Sequence, residues 1–107
     1  MEFQEFWPRY LRAHSRPLTR AFHAGGTLAG SALVLAGIAL RKPWLVPLGL
    51  VAGYGPAWLS HALIERNRPE TFRAPLASLR GDFQLVWHMM RGSLRAEMER
   101  TGAAERA

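Results

Sequence analysis

The sequence predicts an all-α fold: an integral membrane helical hairpin, about residues 18–40 and 44–65, flanked by an N-terminal and a C-terminal amphipathic helix. Three observations predict it. Ala24 to Leu40 is 17 residues without a charge, and Trp44 to Ile64 is 21 more, with Arg41-Lys42-Pro43 between them. A bilayer core of ~30 Å needs roughly 20 apolar residues; the second run meets this, and the first does so once Phe22 and His23 are counted at its border. Each run carries a small-residue pair at a spacing of four, Gly26 with Gly30 and Gly49 with Gly53, which lets two helices approach closely in lipid. Finally, 12 of the 14 basic residues lie before the first run or after the second, which puts both termini on the cytoplasmic side and the connection outside. At 107 residues the chain is one small domain, and a soluble domain of that size buries only a modest core. Overall hydropathy is near zero, so a soluble pair of helices is the alternative.

Residues 1–13 place Phe3, Phe6, Trp7, Tyr10 and Leu11 at helical spacing, with Arg9 and Arg12 opposite. Pro8 is compatible with a helix that begins near it. The aromatic face suits either a membrane interface or packing on the protein. His14-Ser15-Arg16-Pro17 breaks the pattern, with Ser15 the expected N-cap and Pro17 in the first turn of the next helix. The hairpin follows. Tyr54-Gly55-Pro56 should loosen its second arm, as a tolerated kink or as a cavity widened for an acyl chain. Arg66 to Pro75 reads as a polar loop whose prolines exclude a long helix. A last helix is expected from about Leu76 to Arg100. Leu79, Phe83, Val86 and Met90 fall on one face of it, and it should lie on the membrane surface or against the hairpin. The tail from 101 to 107 is expected to fray, leaving 1–107 as a single domain ordered over 1–100.

Composition narrows the chemistry. The chain has no Cys, which excludes disulfides and thiolate metal sites and leaves His, Asp and Glu as ligands for hard or borderline metals. The net charge is +6, yet the arginines flank apolar runs and form no basic stripe interleaved with aromatics. A solvated surface or contact with anionic lipid head groups is therefore expected, and nucleic acid is not. The first 20 residues contain no apolar signal core, so the N-terminus is expected to be retained.

The histidines carry the functional signal. His23 lies 19 residues before Lys42, and His61 lies 19 after it. At ~1.5 Å per residue both stand roughly 28 Å from the connection, level with each other at the cytoplasmic border. His14 can fold back to the same depth. Glu65 follows His61 by four, so on an α-helix the two share a face. Three histidines with a carboxylate fit a mononuclear non-haem iron site. Any one of them could equally cap a helix end. There is no HExxH and no GxSxG. His88, in the middle of Val86-Trp87-His88-Met89-Met90, reads as a packing or interfacial residue.

Three stretches resemble a known family. These are Phe6-Trp7 through Tyr10-Leu11, His14-Ser15 and Pro17-Leu18-Thr19-Arg20 to His23; Gly53-Tyr54 through Ala57-Trp58, His61, Glu65 and Asn67-Arg68-Pro69 to Thr71-Phe72; and Pro75-Leu76 through Ser78-Leu79 to Gly81-Asp82-Phe83. Together they resemble the signatures of the small membrane 2-hydroxy fatty acid dioxygenases, which act in fungal phytosphingosine breakdown and have bacterial relatives. The resemblance covers roughly residues 3–95.

It implies an iron(II)-dependent enzyme of α-oxidation, which takes a 2-hydroxy fatty acid and O2 and yields the fatty acid one carbon shorter. His14, His23 and His61 match the family's histidines and would hold Fe(2+). Glu65 would be a catalytic residue, as a fourth ligand or, preferably, as acceptor of a ligand's ring N–H. Arg20, Arg66 and Arg68 lie close enough in sequence to meet the substrate carboxylate, and Tyr54 would border the acyl chain. The acyl tail would run between the two apolar arms. In a bacterium the location would be the inner membrane, with the metal site cytoplasmic and a homo-oligomer compatible with the glycine faces. Two other readings stand beside this one: a non-enzymatic membrane protein whose glycine faces mediate assembly, and a haem protein with His23 and His61 as axial ligands.

Overall fold

The computed structural model describes residues 2–103. All regular structure in it is helical: α1 (Phe3–Ala13), α2 (Pro17–Ala39), α3 (Leu45–Ser60), α4 (Pro75–Arg91) and α5 (Leu94–Thr101). A π-helical turn, His61–Glu65, prolongs α3, and a 3-10 turn, Glu70–Phe72, precedes α4.

α2 and α3 lie side by side in opposite directions, and the glycines set their distance. A Cβ added at Gly30 would come within 2.6 Å of the Gly49 carbonyl oxygen, and one at Gly26 within 2.9 Å of that of Gly53. No side chain fits between these backbones, so the glycine faces are used inside the chain. They are not free for assembly, and no acyl chain passes between the arms at that depth. The connection turns at Arg41, whose φ of 54° lies in the left-handed region, and Lys42 N–H bonds Gly37 O at 2.9 Å. Among the described residues α2 alone is long and apolar enough to cross a membrane, and 28 % of its apolar window is buried.

The hydrophobic core lies elsewhere. Phe6, Trp7, Tyr10 and Leu11 of α1 pack on Leu85 of α4 and on Met98 and Ala103 at the C-terminal end. The aromatic face of α1 is therefore spent on the protein. Trp7 Nε1–H donates to Glu97 at 2.8 Å, and the Arg80 guanidinium sits 3.9 Å from the centre of the Phe3 ring.

Four expectations need correction. α2 begins at Pro17 with Arg16 as its N-cap, because the Ser15 hydroxyl is turned to Glu65. The helix expected from Leu76 to Arg100 is two helices. Gly92 adopts φ 73° and ends α4, a conformation glycine enters without steric cost. α4 also buries more than the expected face: Ser78, Gly81, Asp82 and Leu85 are buried with Val86, while Leu79 and Phe83 are only partly covered, beside a cleft toward α2 and α3, and Met90 is exposed. Gly81 makes this possible, since a Cβ there would sit 2.9 Å from the Tyr10 ring. Lastly, α5 runs to Thr101 and Ala103 is fully buried, so the expected fraying does not begin at 101. Residues 104–107 lie outside the described residues.

Candidate metal centre

Three histidines converge where α1, α2 and the π turn meet. His14 sits just past α1, at φ −122°, which turns its side chain back over the last turn of that helix. His23 lies on the second turn of α2, and His61 opens the π turn. All three are at most 5 % exposed. One ligand nitrogen from each lies within 4.8 Å of the other two, a set that could hold a metal ion.

The hydrogen bonds decide which nitrogen each ring presents. His14 Nδ1–H donates to the Tyr10 carbonyl at 2.7 Å, an oxygen that can only accept. His61 Nδ1–H donates to Asn67 Oδ1 at 2.6 Å. The orientation of that amide is set by its own nitrogen, which donates to Ala13 O at 3.1 Å. Both rings therefore keep their Nε2 lone pairs, and these two nitrogens face each other at 3.0 Å. Two lone pairs at that distance repel unless a cation lies between them. A proton is disfavoured, because burial, helped by the neighbouring His23 and His61 rings, pushes His14 well below the ordinary histidine value.

His23 is held the other way round. Its Nε2–H donates to Asp82 Oδ1 at 2.5 Å, and the same oxygen accepts Tyr10 O–H at 2.7 Å. That leaves the His23 Nδ1 lone pair, which is buried with no hydrogen-bond partner. A buried imidazole nitrogen without a partner, in a cluster with two facing lone pairs, is a donor set that could hold a metal ion.

The other expected site residues are placed as follows. Glu65 accepts Arg16 N–H at 2.8 Å and Ser15 Oγ–H at 3.2 Å, so its carboxylate sits at the N-terminus of α2, where the helix dipole favours a negative charge. The π turn widens the spiral, so Glu65 does not follow His61 at the α-helical spacing that the sequence suggested. The ring N–H groups of the three histidines go instead to Tyr10 O, Asn67 and Asp82. Arg20 is buried at the cluster, with Nη1 donating to His14 O at 2.8 Å. Arg66 and Arg68 are exposed; Arg66 closes the π turn at φ 58°, and Arg68 lies over Phe72. Tyr54 is half-buried on α3, facing α4 across a cleft. His88 stacks on Trp7, with ring centres 5.8 Å apart, and bonds Ser93 Oγ at 2.7 Å, which fits the packing role expected of it.

Asp82 and Asn67 were missed as site residues. A signal existed: each is the only residue of its type in the chain. The haem reading fails on geometry. The His14 ring centre is 4.5 Å from both His23 and His61, and their own centres are 5.7 Å apart, which leaves no room for a porphyrin between them.

A family model described as 2-hydroxy-palmitic acid dioxygenase Mpo1-like matches residues 1–94. No curated protein and no solved structure matches the chain.

Proposed function

The chain belongs to the Mpo1-like family, and from that premise we propose that it is a membrane-embedded iron(II) dioxygenase performing α-oxidation of 2-hydroxy fatty acids. The observation that carries this reading is the pair of facing Nε2 lone pairs on His14 and His61, with His23 Nδ1 unpartnered beside them. With O2 as the four-electron oxidant, a 2-hydroxy acid balances as the acid one carbon shorter, carbon dioxide and water.

His14, His23 and His61 would hold the metal, and Fe(2+) would there bring the hydroxyl, the carboxylate and O2 of the reaction together. The residues around them orient and exclude. Asp82, Asn67 and the Tyr10 carbonyl fix the ring tautomers. Tyr10, fully buried, closes the site to water on the α1 side. Glu65 ties the His14–Arg16 segment to the π turn and so holds His14 against His61. Of the three arginines weighed for the carboxylate, Arg20 is the one inside the fold, and head-group recognition falls to it.

The same reading embeds α2 and the α3–π segment in the bilayer as an antiparallel hairpin. The exposed apolar residues of both arms support this, among them Leu35, Ile38, Val51 and Leu63. The basic residues outside the arms put both termini and the histidines on the cytoplasmic side. Cysteine labelling on whole cells should mark position 42 and spare position 105; the reverse would overturn the orientation.

The activity is tested with protein purified without a chelating tag, loaded anaerobically with iron(II) and given 2-hydroxypalmitate and O2. Pentadecanoate formed with stoichiometric O2 uptake is expected. Protein that binds one iron but consumes neither substrate nor O2 would refute the assignment.

A further inference from the structure

α4 packs on α2 and leaves an apolar cleft of about 380 Å³ beside the α2–α3 pair. It is lined by Thr27, Ser31 and Leu35 of α2, by Leu50 and Tyr54 of α3, and by Gly30, Gly49 and Gly53 at the seam of the two helices. The α4 wall is Leu79 and Phe83 on either side of Asp82.

The cleft ends at the metal centre, because Asp82, which lines it, is the residue bonded to His23. Its polar groups are already engaged at that end: Asp82 Oδ1 accepts from Tyr10 and His23, and Thr27 Oγ1–H donates to His23 O at 2.9 Å. Along α2, His23 to Leu35 is twelve residues, roughly 18 Å. The far rim is open, with Leu35 65 % and Phe83 50 % exposed on the side that the membrane reading turns toward lipid. Such a cleft, mostly apolar along its length, suits a long unbranched hydrocarbon that slides in from the bilayer.

We infer that this cleft holds the acyl chain of the substrate, head at His23 and tail past Ser31 toward Leu35, and that Ser31 sets the chain length accepted. The inference rests on the proposed activity for the identity of the head group. The glycine contacts close the space between α2 and α3, and the other cavity beside the cluster, lined by Arg20, Arg95 and Glu99, is charged where this cleft is apolar. Ser31 stands at mid-length and is half-buried, so a large side chain there shortens the cleft without touching a histidine.

The experiment uses the full chain in nanodiscs, as wild type and as Ser31→Trp, with Leu79→Trp as a second variant that fills the cleft from the opposite wall. Turnover of 2-hydroxyoctanoate and 2-hydroxypalmitate is compared at measured metal content. A 2-hydroxy acid bearing a terminal diazirine is photolysed on the same proteins, and the labelled peptides are identified. Expected results are a loss of about tenfold or more in kcat/KM for the long substrate only, unchanged metal content, and wild-type labelling near Leu35 and Leu50 that 2-hydroxypalmitate competes away. Equal loss at both chain lengths, no loss at all, or labelling outside the cleft would overturn the inference. Cleft labelling that ordinary fatty acid displaces but 2-hydroxypalmitate does not would also overturn it, making the occupant a bilayer lipid. Competed cleft labelling without any turnover would uphold the cleft and refute the proposed activity.

Discussion

Asp82 Oδ1 accepts the ring N–H of His23 at 2.5 Å, across 59 residues of chain. This bond settles which His23 nitrogen is free, and so which way the third ligand points. Asp82→Asn keeps the shape but weakens the acceptor and allows the amide to turn its NH2 toward the ring. Metal affinity is expected to fall by ~10–100-fold, as for other partners of ligating histidines. Titration of the apo protein with cobalt(II), followed by its visible absorption, measures this without relying on turnover. Unchanged affinity would remove Asp82 from the site.

His14→Ala, His23→Ala and His61→Ala should each abolish stoichiometric metal binding, because three ligands leave none to spare. His88→Ala should keep the metal and lose only its stacking on Trp7 and its bond to Ser93. Metal analysis of the four variants, with circular dichroism as the check on folding, separates the two classes.

The depressed His14 gives the apo protein an acid-side weakness. Unfolded, this histidine takes a proton near 6.5; folded, burial holds it neutral to well below that value. In that window the unfolded state binds more protons, so stability falls as the pH drops from about 6.5 toward the folded value, and is retained above it. Protons also compete with the metal for the same nitrogens. Thermal melts of apo protein should shift down between neutral pH and pH ~5, and His14→Asn should flatten that slope. An equal slope in the variant would assign the effect elsewhere.

Gly30→Ala tests the helix pair. The added methyl would stand 2.6 Å from the Gly49 carbonyl, so α2 and α3 must separate. Overpacking of this kind costs about 1–3 kcal/mol. Because His23 and His61 sit on opposite members of the pair, metal affinity should fall along with the melting temperature. Gly25→Ala is the control, since a Cβ there meets nothing within 4 Å.

Glu65→Gln removes a charge from the N-terminus of α2 and weakens the tie to Ser15 and Arg16. A loss of about 0.3–2 kcal/mol is expected from the helix dipole, with iron retained at saturating iron(II) and turnover slowed through a looser His14. Complete loss of iron from a folded variant would make Glu65 a ligand instead.

Local features were enough to place the helices and the histidines. An uncharged run of given length, paired small residues and basic flanks act through nearest-neighbour chemistry and the thickness of a bilayer. Equal distances from Lys42 sufficed to set His23 and His61 level. The break after α1 let His14 fold back to the same depth, the family resemblance matched all three, and the three converge in the fold. What the sequence could not show is which atom each ring presents. That depends on Tyr10, Asn67 and Asp82; the Tyr10 carbonyl is one helical turn from His14, but Asn67 and Asp82 stand 6 and 59 residues from their rings, spacings no helical period contains. The buried face of α4 was hidden for another reason. The apolar stripe of a helix marks its core side only when water is the alternative. Here Gly81 lets α4 close on Tyr10, which leaves Leu79 and Phe83 half-covered along the cleft and Met90 outside. The surroundings of Glu65 were hidden because the chain widens into a π turn at His61, closed in the left-handed region at Arg66, which no spacing in the sequence announces. A hydrogen-bond partner and a helix face are decided by which distant groups compete for the same space, and only the folded chain brings those competitors together.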